Sequence, residues 1–201
     1  MVSKSIQVLF IRIYTIIKLN LIFWVLAFAG GIVAGVGPGI LTVSELYYTH
    51  GFDYREITFK SAWSSFKGNF KKGNTIFWTF AAKELFLSYS LYMSVQLQGP
   101  IFIISDFVII AMLLLSICLF WYVMNIQSGF EIDYLNSLKL AFAHFFYNFF
   151  DNVKEIIGLI VIIGVTYRYK GLILFASISA MILITHAIGK NWIKHVDEVY
   201  K

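Results

Sequence analysis

Lys83 and Glu84 stand side by side in a stretch, residues 75–95, that is otherwise uncharged and largely apolar. Counted along a helix at about 1.5 Å per residue, Lys83 lies about 12 Å into a hydrocarbon layer roughly 30 Å thick. A charge at that depth is costly and by default serves a substrate, an ion or a partner helix. Neighbouring helical positions point about 100° apart, so the two do not close on each other. Glu45, Asp106 and His186 are the titratable residues of other segments expected to meet them. Two readings stand at this point: a buried ion pair, with the lysine reaching for the boundary, or a ligand or coupling site opening outward.

The remaining polar residues carry weaker signals. Asp106 falls about five residues into the returning apolar segment, and His186 near the inner end of the last one. Asn20 and Trp24 are one turn apart at the start of the first apolar block, where anchoring at a membrane boundary is the expected role. Asp151, Lys154 and Glu155 share a helix face at i, i+3 and i+4, and the uncharged interval after them is only twelve residues. That interval means either a short span or a charged face buried among helices. The histidines at 50, 144, 186 and 195 lack metal-ligand spacing, and Cys118 is the sole cysteine. No phosphate-binding glycine loop, His-Glu-x-x-His or Gly-x-Ser-x-Gly is present. No catalytic residue, metal or cofactor is expected, and the chain is read as a non-enzyme.

The elements that carry these residues follow from composition. Of 201 residues, 59% are apolar and 13% charged, about half the usual charged share of a soluble domain. Uncharged intervals at 19–44, 85–105, 107–130, 156–167 and 171–189 read as helices within a bilayer. The expectation is an all-α polytopic membrane protein forming one domain, with about five to six membrane segments. No cleavable leader is read at the N-terminus, which lacks a clear small-x-small cleavage box.

The first block is too long for one straight crossing and carries Gly35-Val36-Gly37-Pro38-Gly39. Gly35, Gly37, Pro38 and Gly39 are expected to break a helix of 5–36 from a shorter one of 39–50, which either re-enters or thinly returns. Residues 1–50 thus form a broken hairpin. Next come a unit at 55–124, with a turn at 96–100, and a second at 134–188, with a tight turn at 167–170. A polar tail occupies 189–201.

Regions 1–18, 47–74, 128–154 and 189–201 hold three, five, two and three Lys/Arg, thirteen in all. The turns 96–100 and 167–170 hold none and two. If the first block doubles back, the thirteen lie on one face. The positive-inside rule then favours a multi-pass protein of the cell membrane with both termini cytoplasmic. Nucleic acid is not an expected partner, because these basic residues flank apolar spans.

Residues 59–70 and 138–149 resemble each other at an offset of 79, sharing Lys, Ala, Phe, Asn and Phe at five positions. In each copy large apolar residues recur at i, i+4, i+7 and i+11 on one helical face, and a membrane hairpin follows. The pattern suggests two parallel units, each an amphipathic helix plus a hairpin. Interfacial anchoring explains it, as does a cytoplasmic collar that docks a partner. The collar candidates are Trp63, Phe66, Asn69 and Phe70 with Phe142, Phe145, Asn148 and Phe149.

Leu19-Asn20-Leu21, Phe23-Trp24, the run Gly35 to Gly39, and Phe66-Lys67-Gly68-Asn69-Phe70-Lys71-Lys72-Gly73-Asn74 resemble the YesL-like family of small bacterial membrane proteins. The likeness covers residues 15–80, and the rest mainly by layout. Departures are Gly39, where that family usually has alanine, and Val36, where isoleucine is common. The resemblance implies a Gram-positive membrane protein of unestablished biochemistry, encoded beside sugar ABC importers. It further implies an accessory or regulatory subunit of carbohydrate import, with permease subunits and lipid as partners. The alternative is a small-molecule binding component of an importer.

Overall fold

The computed structural model describes the backbone of residues 2–200 and the side chains of 5–194. The side chains of Lys4, His195 and Lys201, used above for charge and spacing, lie outside the described residues. Every regular element among the described residues is a helix: α1 (Val2–Ala29), α2 (Val36–His50), α3 (Phe59–Ser94), α4 (Pro100–Gly129), α5 (Tyr134–Tyr147), α6 (Phe149–Arg168), α7 (Leu172–Phe175) and α8 (Ser177–Tyr200). Two stretches, Ser5–Ala29 and Pro100–Gly129, are long and apolar enough to cross a membrane.

Local chemistry sets several helix ends. Thr58 and Ser61 form a reciprocal capping box at the start of α3, each side chain accepting the other's backbone N–H. Asp133 caps α5 by accepting the N–H of Leu135. Pro100 opens α4 in the first turn, where its missing N–H costs nothing, behind Gly99 at φ 134°.

The first helix ends earlier than the glycine run suggested. The break occupies residues 30–35, with Gly31 and Ile32 at φ 73° and 61°. Gly37, Pro38 and Gly39 lie in the opening turns of α2, where proline is tolerated. Gly37 serves a close approach instead: a Cβ there would stand 2.5 Å from the carbonyl oxygen of Gly73. These glycines let α2 and α3 meet backbone to backbone. Nine residues of α2 are buried, so this short helix is the centre of the core, touching α1, α3, α4 and α8.

The broken hairpin does double back. Thr15 donates to the Phe52 carbonyl at 3.3 Å and Lys18 to the Tyr54 carbonyl at 2.7 Å. Arg12 sits over the Phe52 ring. Residues 12–18 therefore share one end of the molecule with the loop after α2. Lys190 and Lys194 join Tyr47, Tyr48 and Gly51 around a cavity at that end.

Three further boundaries differ from expectation. The amphipathic helix at 59–70 and the span at 75–95 are one continuous helix, α3, about 54 Å long. In the second unit the corresponding junction breaks at Asn148 between α5 and α6. The turn at 167–170 is extended by α7, and the polar tail is not separate but continues α8, with Trp192 packed on the core and Ile193 buried.

Candidate functional site

The five polar candidates fall into separate environments. Glu45, on α2, accepts hydrogen bonds from Ser65 Oγ at 3.0 Å and from Asn69 Nδ2, both on α3. His186, on α8, is 8% exposed and pairs through Nε2 with Ser44 Oγ at 2.7 Å, its ring against Tyr47 and Tyr48. Lys83 is exposed on α3, with Nζ 4.5 Å from the centre of the Phe80 ring. Glu84 turns into a groove between α3 and α4 beside Phe80, Ile117 and Trp121, and its Oε1 is buried without a hydrogen-bond partner. Asp106 is half-buried, with Oδ1 likewise unpartnered.

Glu45, Asp106 and His186 therefore do not assemble around Lys83. The only ion pair among the described side chains is Lys154 with Asp151, at 3.0 Å. Periodicity told which residues share a depth, but the face on which each lies was decided by packing.

The two aromatic segments also part company. The paired alanines Ala62 and Ala141 are both fully buried, as a common inward face requires. In the first copy Trp63 stacks between Phe59 and Phe66, Lys67 lies over its ring, and Phe66 is 3% exposed. Asn69 is consumed by Glu45, and Phe70 is left partly open. In the second copy Phe145 packs on the core and Asn148 pairs with His144 Nδ1 at 3.2 Å. Phe142, Phe146, Tyr147, Phe149 and Phe150 are exposed there, forming an aromatic ledge at the α5–α6 break.

Sequence reasoning did not foresee that three asparagines hold the helix interruptions. Asn20 is fully buried. Its Nδ2 donates to the carbonyls of Ile173 and Leu174 at 3.0 and 2.7 Å, and its Oδ1 accepts the N–H groups of Ile178 and Ser179 at 3.0 and 3.1 Å. Trp24 Nε1 adds a bond to the Ile173 carbonyl at 2.8 Å. This pair thus bridges the α7–α8 break rather than serving only as an anchor. Asn74 Nδ2 donates to the Ala34 carbonyl at 2.9 Å, holding the α1–α2 turn. Asn152 accepts from Tyr122 OH at 2.9 Å and donates to the Phe145 carbonyl at 2.6 Å, holding the α5–α6 break. In an apolar surround, backbone groups freed by a broken helix must find partners within the protein. An Asn one helix away from a Gly-containing or short apolar interruption was the available signal.

A second feature is a buried cluster where α4, α5, α6 and α8 meet. The His144 ring stacks on Trp192 with centroids 4.2 Å apart and meets Tyr122 edge-on at 4.7 Å. Burial holds the imidazole of His144 well below its ordinary value, at about 4, against a smaller opposing pull from Asp151. Glu155 is fully buried, with no hydrogen-bond partner for either carboxylate oxygen.

The basic end holds a cavity of about 500 Å³ bounded by Tyr47, Tyr48, His186, Lys190 and Lys194. In a separate hollow lined also by Gly68 and Asp133, Lys72 donates to the Gln127 carbonyl at 3.1 Å. Burial pulls its ammonium below the usual range, while Glu45 and Glu131 oppose that shift. Among the described residues no three His, Cys, Asp or Glu side chains group to hold a metal ion.

Fold and site define a helical protein with two helices able to cross a membrane, whose polar groups chiefly tie helices together. Residues 16–91 match the family model described as protein of unknown function, DUF624, and YesL-like proteins belong to that family. The resemblance read from Leu19 to Asn74 holds over this segment. No curated protein and no solved structure matches the chain.

Proposed function

We propose that this chain is a non-catalytic accessory subunit of a membrane importer, its partner a carbohydrate ABC permease. The observation that carries the docking role is the aromatic ledge at the α5–α6 break, where Tyr147, Phe149 and Phe150 are 88%, 70% and 77% exposed. Large aromatic residues at a fixed break are rigid anchors for a partner helix. The importer itself is implied by family likeness. The titratable groups of the core support a structural rather than a reactive role: Glu45 is tied to Ser65 and Asn69, and His186 to Ser44.

In this reading the protein is multi-pass. The α3–α4 hairpin crosses the bilayer, and the α1–α2 hairpin enters from the basic end and returns to it. The basic end faces the cytoplasm with both termini, in keeping with the positive-inside rule. Residues 12–18 beside residues 52–54, and Lys190 and Lys194 beside Gly51, support that arrangement.

Copurification from native membranes in mild detergent tests the proposal. Permease subunits are expected with the wild-type protein and lost with Phe149→Ser and Phe150→Ser together. Recovery of the wild-type protein without any permease overturns it. A second reading, a small-molecule binding component, is favoured by the cavity of about 500 Å³ at the basic end. A sugar that raises the melting temperature of wild-type protein but not of Tyr47→Ala would establish that reading.

A further inference from the structure

The α3–α4 hairpin runs clear of the rest of the molecule. Ala34, in the turn after α1, meets α3 at Asn74, the level at which the apolar half of α3 begins. Beyond Phe80 on α3 no residue is buried until Ser94, and on α4 none before Ser116. The outer hairpin packs only against itself. Its surface is apolar and open: Leu85, Phe86, Ile103 and Phe107 are each about 70% exposed or more.

On this apolar surface sit two opposite charges that form no ion pair with each other. Lys83 forms no ion pair among the described residues and rests only over Phe80. Glu84 follows it immediately, about 100° further round the helix. Its buried, unpartnered Oε1 lies at a groove of about 190 Å³ lined by Phe77, Phe80, Ile117 and Trp121. The groove offers an apolar wall with one acceptor, which suits a lysine: the methylene stem lies along rings and the ammonium meets the carboxylate.

Two copies in one bilayer share the same orientation. A two-fold axis along the membrane normal therefore brings identical residues to one depth. A contact of residue i with residue j across such an axis is repeated as j with i. Lys83 and Glu84 are adjacent, and so at nearly equal depth, which is the arrangement that lets one juxtaposition close two ion pairs. The hairpin thus carries both halves of its own complement.

We propose that the outer α3–α4 hairpin is a self-association surface. Lys83 of each copy enters the Phe80–Trp121 groove of the other and pairs with Glu84. The inference is independent of the permease reading and rests on the hairpin crossing the bilayer.

The test is self-association of the full chain in lipid vesicles, read by energy transfer between donor- and acceptor-labelled protein as the lipid is diluted. Wild-type protein is expected to dimerise. Lys83→Met and Glu84→Gln are each expected to weaken the dimer by at least about tenfold, roughly one decade of dissociation constant. Exchange of the two charges, Lys83→Glu with Glu84→Lys, is expected to restore it. Ala81→Trp, which fills the groove and leaves the charges in place, is expected to weaken association as well, and it keeps the test open if a charge variant fails to fold. The proposal is overturned if wild-type protein stays monomeric or if the charge exchange is no better than the single variants.

Discussion

Gly37 and Gly73 face each other across α2 and α3 so closely that a Cβ on Gly73 would stand 2.5 Å from the Pro38 Cα, and one on Gly37 equally near the Gly73 carbonyl oxygen. Both obstructions are backbone, which cannot swing aside as a side chain would. Replacing either glycine by alanine forces the central helix away from α3. The expected loss is about 1–3 kcal/mol, the usual cost of overpacking. Gly68→Ala is the control, since nothing lies within 4 Å of its Cβ, and it should stabilise by up to about 1 kcal/mol through helix propensity. Unfolding in detergent, compared across the three variants, checks both signs.

Asn20 is expected to be the least replaceable polar residue of α1. Asn20→Leu strands the Leu174 carbonyl and two N–H groups at the α7–α8 break, each worth about 1–3 kcal/mol when buried without a partner, and leaves the Ile173 carbonyl to Trp24 alone. Asn20→Asp keeps the acceptor for Ile178 and Ser179 but sets a carboxylate oxygen against the Ile173 and Leu174 carbonyls in a fully buried site, so its cost should be at least as large. Thiol labelling of Ala176→Cys, slowest in the wild-type background and faster with either Asn20 variant, reports whether the break loosens as argued.

The buried imidazole makes stability depend on pH. The folded state holds His144 at about 4 against about 6.5 in the unfolded chain, so between those values the unfolded state binds more protons. Stability from this group is fully present above about pH 6.5 and falls as pH drops toward 4. His144→Gln should flatten that part of the profile relative to wild type. Melting temperatures measured from pH 7.5 to 4.5 in both proteins decide the point, and parallel profiles would count against it.

Glu155 has no donor facing either carboxylate oxygen, so a neutral side chain of the same shape has nothing to lose there. Glu155→Gln is expected to match or exceed wild-type stability at pH 7. Glu155→Ala, which empties a fully buried site, should cost about 2–4 kcal/mol, as large-to-small changes in cores do. Equal destabilisation by both would point instead to a specific need for the acid.

Much of this architecture was legible in the chain before any contact was known. Gly99-Pro100 marks the hairpin turn because its proline can open α4 but cannot sit inside a helix, and the turn falls where expected. The matched alanines of the two aromatic segments are both buried, because 3.6-residue periodicity locates an inward face. The site was far less legible. Glu45, Lys83, Asp106 and His186 share an apolar setting in sequence, yet packing gives each a different neighbour.

The sequence by itself determined the class of protein. Scarce charge, long apolar intervals and basic residues gathered at their ends need only burial preferences and helix length, which are local and additive. Tertiary structure alone decided what the polar groups do. A side-chain amide such as that of Asn20 is equally able to anchor at an interface or bridge a broken helix. The choice was made by which helix end lay within about 3 Å of it, and that distance exists only once the chain has packed.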